Sequence, residues 1–237
     1  MLSRADVVQR LLDLFVKPRY LEIGVHLGLT FTQVKAATKV AVDPLFDFDY
    51  KNHREPHCTI EFHEVPSDTY FGSIVGPNEL FDVVFLDGLH IAEQTVRDLL
   101  NAIAHLKPDG IILIDDVIPD SYHASLSDMG AVALVRNFLA ERDTRWLGDE
   151  AWMGDIYKVP FFLKTFMQQY SYATILENHG QTLVWRQARA AEDIDGYTLE
   201  QVDRLQFKDL IRHFASLRVM PLDEILSLRR DHLTRRK

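Results

Sequence analysis

Cysteine is nearly absent: Cys58 is the only one in 237 residues. A lone thiol closes no intrachain disulfide and builds no thiolate zinc site, which fits a reducing, cytoplasmic setting. Cys58 lies at the edge of the strand-like run "HCTIEFHEV" and reads as a small core residue. Basic residues are also scarce, 26 Lys and Arg against 35 Asp and Glu, for a net charge of -9. That balance excludes a dedicated nucleic-acid binder, whose phosphate contacts need a basic surface. The one basic cluster, "SLRRDHLTRRK", reads as a solvated helix end. No apolar run is long enough for a membrane span, and "MLSRADVVQRLLDLF" lacks the layout of a signal peptide. Internal repeats and low-complexity segments are missing too.

The length predicts a single domain over residues 1–237, with some chain left for a lid or tail. A helix over residues 3–16 is expected to open at Ser3, with Val7, Leu11, Leu12 and Phe15 on one face. Strands and helices then alternate. "RYLEIGV" is a short apolar run, "LTFTQVKAAT" reads as helix, and "KVAVDP" is a strand stopped by Pro44. "TIEFHEV" alternates like a half-buried strand, whereas "FDVVFLDG" and "GIILIDD" are apolar enough to be covered on both faces. Between them "HIAEQTVRDLLNAIAHLK" has helical spacing broken by "PDG". Such alternation predicts an α/β fold with a doubly wound, mostly parallel sheet. Further on, "ALVRNFLAERD" and "VPFFLKTFMQQY" read as helices, and "YATILENHGQTLVWRQ" as an antiparallel hairpin, bringing the sheet to seven strands. A helical extension is expected over 196–237. The apolar faces of the terminal helices need cover, so a homo-oligomer is one expectation.

A dinucleotide fingerprint is incomplete here. "LEIGVHLG" has Gly24 and Gly28 only, and Glu22 would repel a pyrophosphate. A carboxylate beside a tight glycine turn suits a ligand carrying an ammonium instead. This disfavours a nicotinamide-dependent reductase. Asp43, roughly 20 residues further on, ends the second strand, where an acid can take both hydroxyls of a ribose.

The spacing E-x-G-x-x-x-G resembles motif I of class I S-adenosylmethionine (SAM)-dependent methyltransferases, whose seven-stranded, Rossmann-like core would cover about residues 18–186. The resemblance implies SAM as cofactor. Glu22, Gly24, Gly28, Thr30 and Asp87 would line its site, Asp43 would hold the ribose, and Ser67 and Asp68 in "HEVPSDTYF" would lie by the adenine. "LKPDGIILIDD" is similar to the family's fifth-strand segment.

Asp87 ends the fourth strand in "FLDGLH", and Asp115 with Asp116 ends the fifth in "LIDDV". Carboxylates on neighbouring strand ends can meet on one hard cation, and oxygen ligands select magnesium, calcium or manganese. The alternative is a double aspartate that caps a turn. The same pair of motifs resembles the macrocin-type sugar O-methyltransferases, which implies Mg2+ on these three acids and a sugar or glycoside hydroxyl as acceptor. His90, three residues past Asp87 and expected to begin a helix, is the candidate general base, with Asp87 beside it. His123 in the polar segment "IPDSYHASLSDMG", a candidate lid, would assist the acceptor. Asp155 and Lys158 in "WMGDIYKVP" shape the acceptor pocket or form an ordinary pair at a helix start. A catechol-type enzyme is the nearest rival, weakened by the lack of an asparagine shortly after strand five. A SAM- or sugar-binding protein without catalysis is the rival of another class.

Overall fold

Eight strands form one sheet in the computed structural model, which describes residues 2–142, 152–190 and 196–234. The chain opens with α1 (Arg4–Leu12), followed by β1 (Arg19–Ile23), β2 (Thr38–Asp43) and β3 (Thr59–Glu64). A single turn, α2 (Ser67–Thr69), runs into a π-helical stretch over Tyr70–Ile74. Next come β4 (Phe81–Leu86), α3 (Ala92–Ala104), β5 (Leu106–Ile114), α4 (Met129–Ala140) and α5 (Lys158–Phe166). The hairpin β6 (Tyr170–Ile175) and β7 (Thr182–Arg186) follows. The extension holds α6 (Leu199–Asp203), α7 (Phe207–Arg212), β8 (Val219–Met220) and α8 (Leu222–Thr234).

The strand order is β3-β2-β1-β4-β5-β7-β6-β8. The first five strands run parallel, and only β7 is reversed, pairing antiparallel with both β5 and β6. The chain moves outward from β1 to β3, then crosses back to place β4 on the other side of β1. The sheet therefore switches direction between β1 and β4, the place where open α/β sheets leave a crevice beyond their carboxyl ends. Because β7 is reversed, the hairpin tip returns to the carboxyl end of β5, with Thr182 opposite Ile114.

Burial on both faces explains the apolar strand sequences. α1 and α8 cover one face, through Val7, Val8 and Leu11 and through Leu222, Ile225 and Leu226. α3 and α5 cover the other through Leu99, Ala102, Val159 and Leu163. The terminal helices thus find their cover within the chain. α1 starts where expected: the Ser3 hydroxyl accepts from Asp6 N, and the Asp6 carboxylate accepts from Ser3 N.

Four expectations need correction. Residues 29–38 form turns and the start of β2 rather than a helix. There Thr32 Oγ1 donates to Gly28 O (2.7 Å) and Gln33 Nε2 to Leu29 O (2.6 Å), side chains competing locally with a helical ladder. Phe31 and Val34 are nonetheless buried, anchoring these turns on the α1 face. "PDG" does not separate helix from strand, because β5 already begins at Leu106 and absorbs Pro108–Gly110 in a register shift against β4. The sheet gains an eighth strand, β8, paired with β6, inside a stretch that reads as helical. The N-terminal helix ends at Leu12, short of residue 16. Asp143, the end of "ALVRNFLAERD", and residues 235–237 of the basic cluster lie outside the described residues. No helix among the described residues is long and apolar enough to cross a membrane.

Candidate functional site

Three strand ends converge at the switch point. Gly24, directly after β1, has φ +86°, and a Cβ there would stand 2.0 Å from Asp87 O. Only glycine lets the loop after β1 pass this close to the loop after β4. The ladder continues into the loops: Asp87 N donates to Ile23 O (2.8 Å), and Asp115 N to Leu86 O (3.0 Å). Asp87 and Asp115 are therefore carried by strand backbone.

A cavity of about 610 Å³ lies over these ends, lined among others by Gly24, Asp43, Ser67, Asp68, Asp87 and His90. That volume suits a ligand of nucleoside size or larger. In its wall the Asp43 carboxylate accepts from His26 N and Leu45 N, both at 2.8 Å, which fixes its direction. Ser67 and Asp68 open α2 and are held by Gln94, at 3.3 and 3.2 Å. An adjoining cavity of about 250 Å³ is lined by Glu22, Gly24, Thr30, Asp87, His90 and Arg4. Gly28 lines neither cavity, and a Cβ there would stand 3.0 Å from the ring of Phe48.

Glu22 is almost fully buried and its Oε2 accepts from Tyr20 Oη at 2.6 Å. Loss of solvent pushes its pKa up to about 8, against the pull of the Tyr20 hydrogen bond and the Lys39 charge. A carboxyl held this way ionises when a positive group arrives.

The three aspartates at the ends of β4 and β5 form one cluster with two histidines and an arginine. Asp115 and Asp116 are buried and Asp87 is one-fifth exposed. Asp115 Oδ1 accepts from His179 Nε2 at 2.8 Å, and Oδ2 from Arg4 Nε. Arg4 also reaches Asp116 Oδ1 (3.4 Å) and Asp87 Oδ2 (3.6 Å). His90 Nδ1 lies 2.5 Å from Trp152 O, which assigns a proton to Nδ1, and Nε2 stands 3.8 Å from Asp87 Oδ1. The His90 ring stacks on Trp152, with centroids 5.3 Å apart.

Electrostatics separate the acids. Burial raises the Asp87 pKa well above the carboxylate range, helped by its anionic neighbours Asp115 and Asp116. Asp116 is pushed up to about 6 by burial and by Asp115. For Asp115 burial acts upward, but the His179 hydrogen bond and the Arg4 charge outweigh it and hold the acid below its ordinary value. The carboxylates in turn raise the Arg4 pKa against its own burial. Asp116 has φ +59°, a left-handed backbone that ordinary side chains avoid, at the point where the chain leaves the sheet. Its Oδ2 is buried and accepts no hydrogen bond among the described residues: His90 Nδ1 lies 3.1 Å away, but the hydrogen there points to Trp152 O.

His90 precedes α3 by two residues instead of starting it, since the helix begins at Ala92. Asp155 Oδ1 accepts from Ala92 N (2.7 Å) and Oδ2 pairs with Lys158 (2.8 Å), so Asp155 closes the start of α3 and ties it to α5. His123 Nε2 lies 3.3 Å from Ser121 Oγ within a turn and lines neither cavity. Its segment is fastened to residues 152–154 by Met153 N and Gly154 N on Ala124 O and by Trp152 Nε1 on Leu126 O. Sequence reasoning missed Arg4, His179 and Trp152. "ENHG" signals a hairpin turn, but nothing local says where that turn lands.

Residues 21–117 match the family model described as a methyltransferase domain. No curated protein matches the chain. Among solved structures, a methyltransferase from Podospora anserina is 19% identical, with 79% of this chain and 80% of that one covered and a TM-score of 0.46. The O-methyltransferase TomG from Streptomyces achromogenes is 15% identical, with coverage of 79% and 82% and a TM-score of 0.45. The methyltransferase MycE is 15% identical, with coverage of 81% and 50% and a TM-score of 0.43.

Proposed function

We propose that this chain, whose residues 21–117 match a methyltransferase domain, moves a methyl group from SAM to a hydroxyl oxygen of a small polar acceptor. A hard divalent cation, Mg2+ first, would be held by Asp87, Asp115 and Asp116. One observation carries the reading: Asp43 and Asp87 line one nucleoside-sized cavity, and behind Asp87 the groups Asp87–His90–Asp116 and Asp115–Asp116–His179 are each close enough to share an ion.

The residues suit both groups. Glu22 faces the space where an ammonium would settle, and Asp43 has lone pairs left for two vicinal hydroxyls. Ser67 and Asp68 line the end left for a base. For the cation, the donor set is hard oxygen, and the buried Asp116 Oδ2 has no partner of its own. A cation bound there would lower the pKa of an acceptor hydroxyl by stabilising the alkoxide. His90 is the base. Its Nδ1–H is fixed on Trp152 O, so Nε2 accepts the hydroxyl proton while the oxygen takes the methyl and the sulfonium becomes a neutral thioether. Asp87, 3.8 Å from Nε2 and ionised once the cation is bound, would stabilise the imidazolium that results. Trp152 keeps the ring in plane.

The resemblance to macrocin-type enzymes points to a sugar or glycoside acceptor, whose vicinal diol would chelate the cation through two oxygens. The test is a panel of glycosides and catechols with SAM, run with EDTA and then with Mg2+ restored. Methylation of a glycoside that EDTA abolishes and Mg2+ restores is expected, with Asp115→Asn losing at least 100-fold. Full activity in EDTA would remove the metal, and turnover of catechols alone would remove the sugar.

A further inference from the structure

Arg4 belongs to α1, remote in sequence from every other member of the cluster, yet its guanidinium sits among all three aspartates. We propose that Arg4 is a built-in counter-cation that a divalent ion must displace, so the carboxylate cluster is occupied by one or the other. This deepens the metal reading above and rests on it.

Proximity and like charge set the two in competition. Arg4 Nε bonds Asp115 Oδ2 and stands 3.6 Å from Asp87 Oδ2, while Nη2 stands 3.4 Å from Asp116 Oδ1. An ion bound among these carboxylates, whether on the oxygens Arg4 holds or on the open Asp116 Oδ2 beside them, would bring two positive charges against the guanidinium. The arginine satisfies the cluster incompletely, since Asp116 Oδ2 stays unpartnered. It also supplies one positive charge to three carboxylates, whereas the ion supplies two. His179 remains on Asp115 Oδ1, an oxygen Arg4 does not use.

Arg4 has somewhere to go. It forms the shared wall between the inner cavity with Glu22 and Asp87 and an outer one of about 360 Å³ with Leu2, Leu29, Gln33 and His179. Its side chain is 37% exposed, so rotation outward returns the charge to water. The backbone need not follow, because the Ser3–Asp6 capping box and the buried Val7, Val8 and Leu11 hold α1 in place. Displacement is a side-chain swing that joins the outer cavity to the inner one.

The test uses the full chain and Mn2+ alone. Binding is followed by the electron paramagnetic resonance signal of free Mn2+ for wild type, Arg4→Met and Arg4→Lys. Arg4→Met is expected to bind at least tenfold tighter than wild type, with Arg4→Lys between them. Wild type gives a second readout that needs no variant: the Arg4 Nε–H resonance should be protected from solvent exchange without ion and lose that protection in Mg2+. Equal or weaker Mn2+ binding by Arg4→Met, or an Arg4 resonance indifferent to Mg2+, overturns the competition while leaving the metal site standing. Absence of Mn2+ binding by wild type and both variants overturns the competition and the metal reading together.

Discussion

Glu22 offers a stability measurement that needs no ligand. It is 2% exposed, its hydrogen-bond donor among the described residues is the Tyr20 hydroxyl, and burial lifts its pKa from the ordinary 4.5 to about 8. The raised value means the fold keeps the proton through a range in which the unfolded chain has released it. The contribution is fully present below pH 4.5, declines above that, and is gone above about pH 8. At 1.36 kcal/mol per pH unit the interval amounts to ~5 kcal/mol as a ceiling. With an effective dielectric nearer 20 than 4, about 2–5 kcal/mol is expected, a large part of a typical folding free energy. Glu22→Gln keeps the shape and an acceptor for Tyr20 but cannot ionise. Urea denaturation of both proteins at pH 5 and pH 9 reads the effect. The variant should gain ~2–4 kcal/mol on wild type between the two pH values. A gap that stays constant would refute the claim that a neutral carboxyl is buried at this position.

Ligand binding reports on the same group: at pH 7 an ammonium beside Glu22 should expel its proton. Calorimetric SAM titrations in buffers of different ionisation enthalpy should then give different apparent enthalpies, and identical values would count against the contact. Asp155→Ala removes the acceptor for Ala92 N and the partner of Lys158. It should cost ~1–2 kcal/mol, with the melting point falling ~2–4 °C per kcal/mol; an unchanged melt contradicts the capping role. In Gly154→Ala the new Cβ would stand 1.6 Å from His90 O at a φ of +62°. A loss of about 2 kcal/mol or more is expected, together with a lower kcat at 15 °C in the fraction that remains folded. Wild-type kcat there would show that His90 does not depend on this contact.

The acids at strand ends were legible because chemistry and position coincide in the chain itself. Glu22, Asp43, Asp87 and Asp115–Asp116 each follow an apolar run, and a parallel sheet gathers the carboxyl ends of its strands at one edge. The segment 29–38 misled because its apolar spacing is helical, while its threonine and glutamine side chains bond the nearby backbone. β8 has two residues, too few to carry a period, and exists because β6 offers an edge. Arg4 and His179 were out of reach for a different reason. Each joins the cluster through tertiary structure alone: α1 packs across the sheet, and reversal of β7 swings the hairpin tip over β5. The role of Asp155 turned on the same kind of fact, since its partner Ala92 N lies on another element.

The left-handed turn at Asp116 bears on how any substitution there must be interpreted. Glycine and asparagine enter that conformation readily, whereas alanine, valine and most others resist it whatever their polarity. Alanine scanning at residue 116 therefore mixes backbone distortion with loss of charge, and asparagine is the replacement that isolates the charge. A saturation library scored for folding alone should rank glycine and asparagine beside the native residue, with branched side chains last.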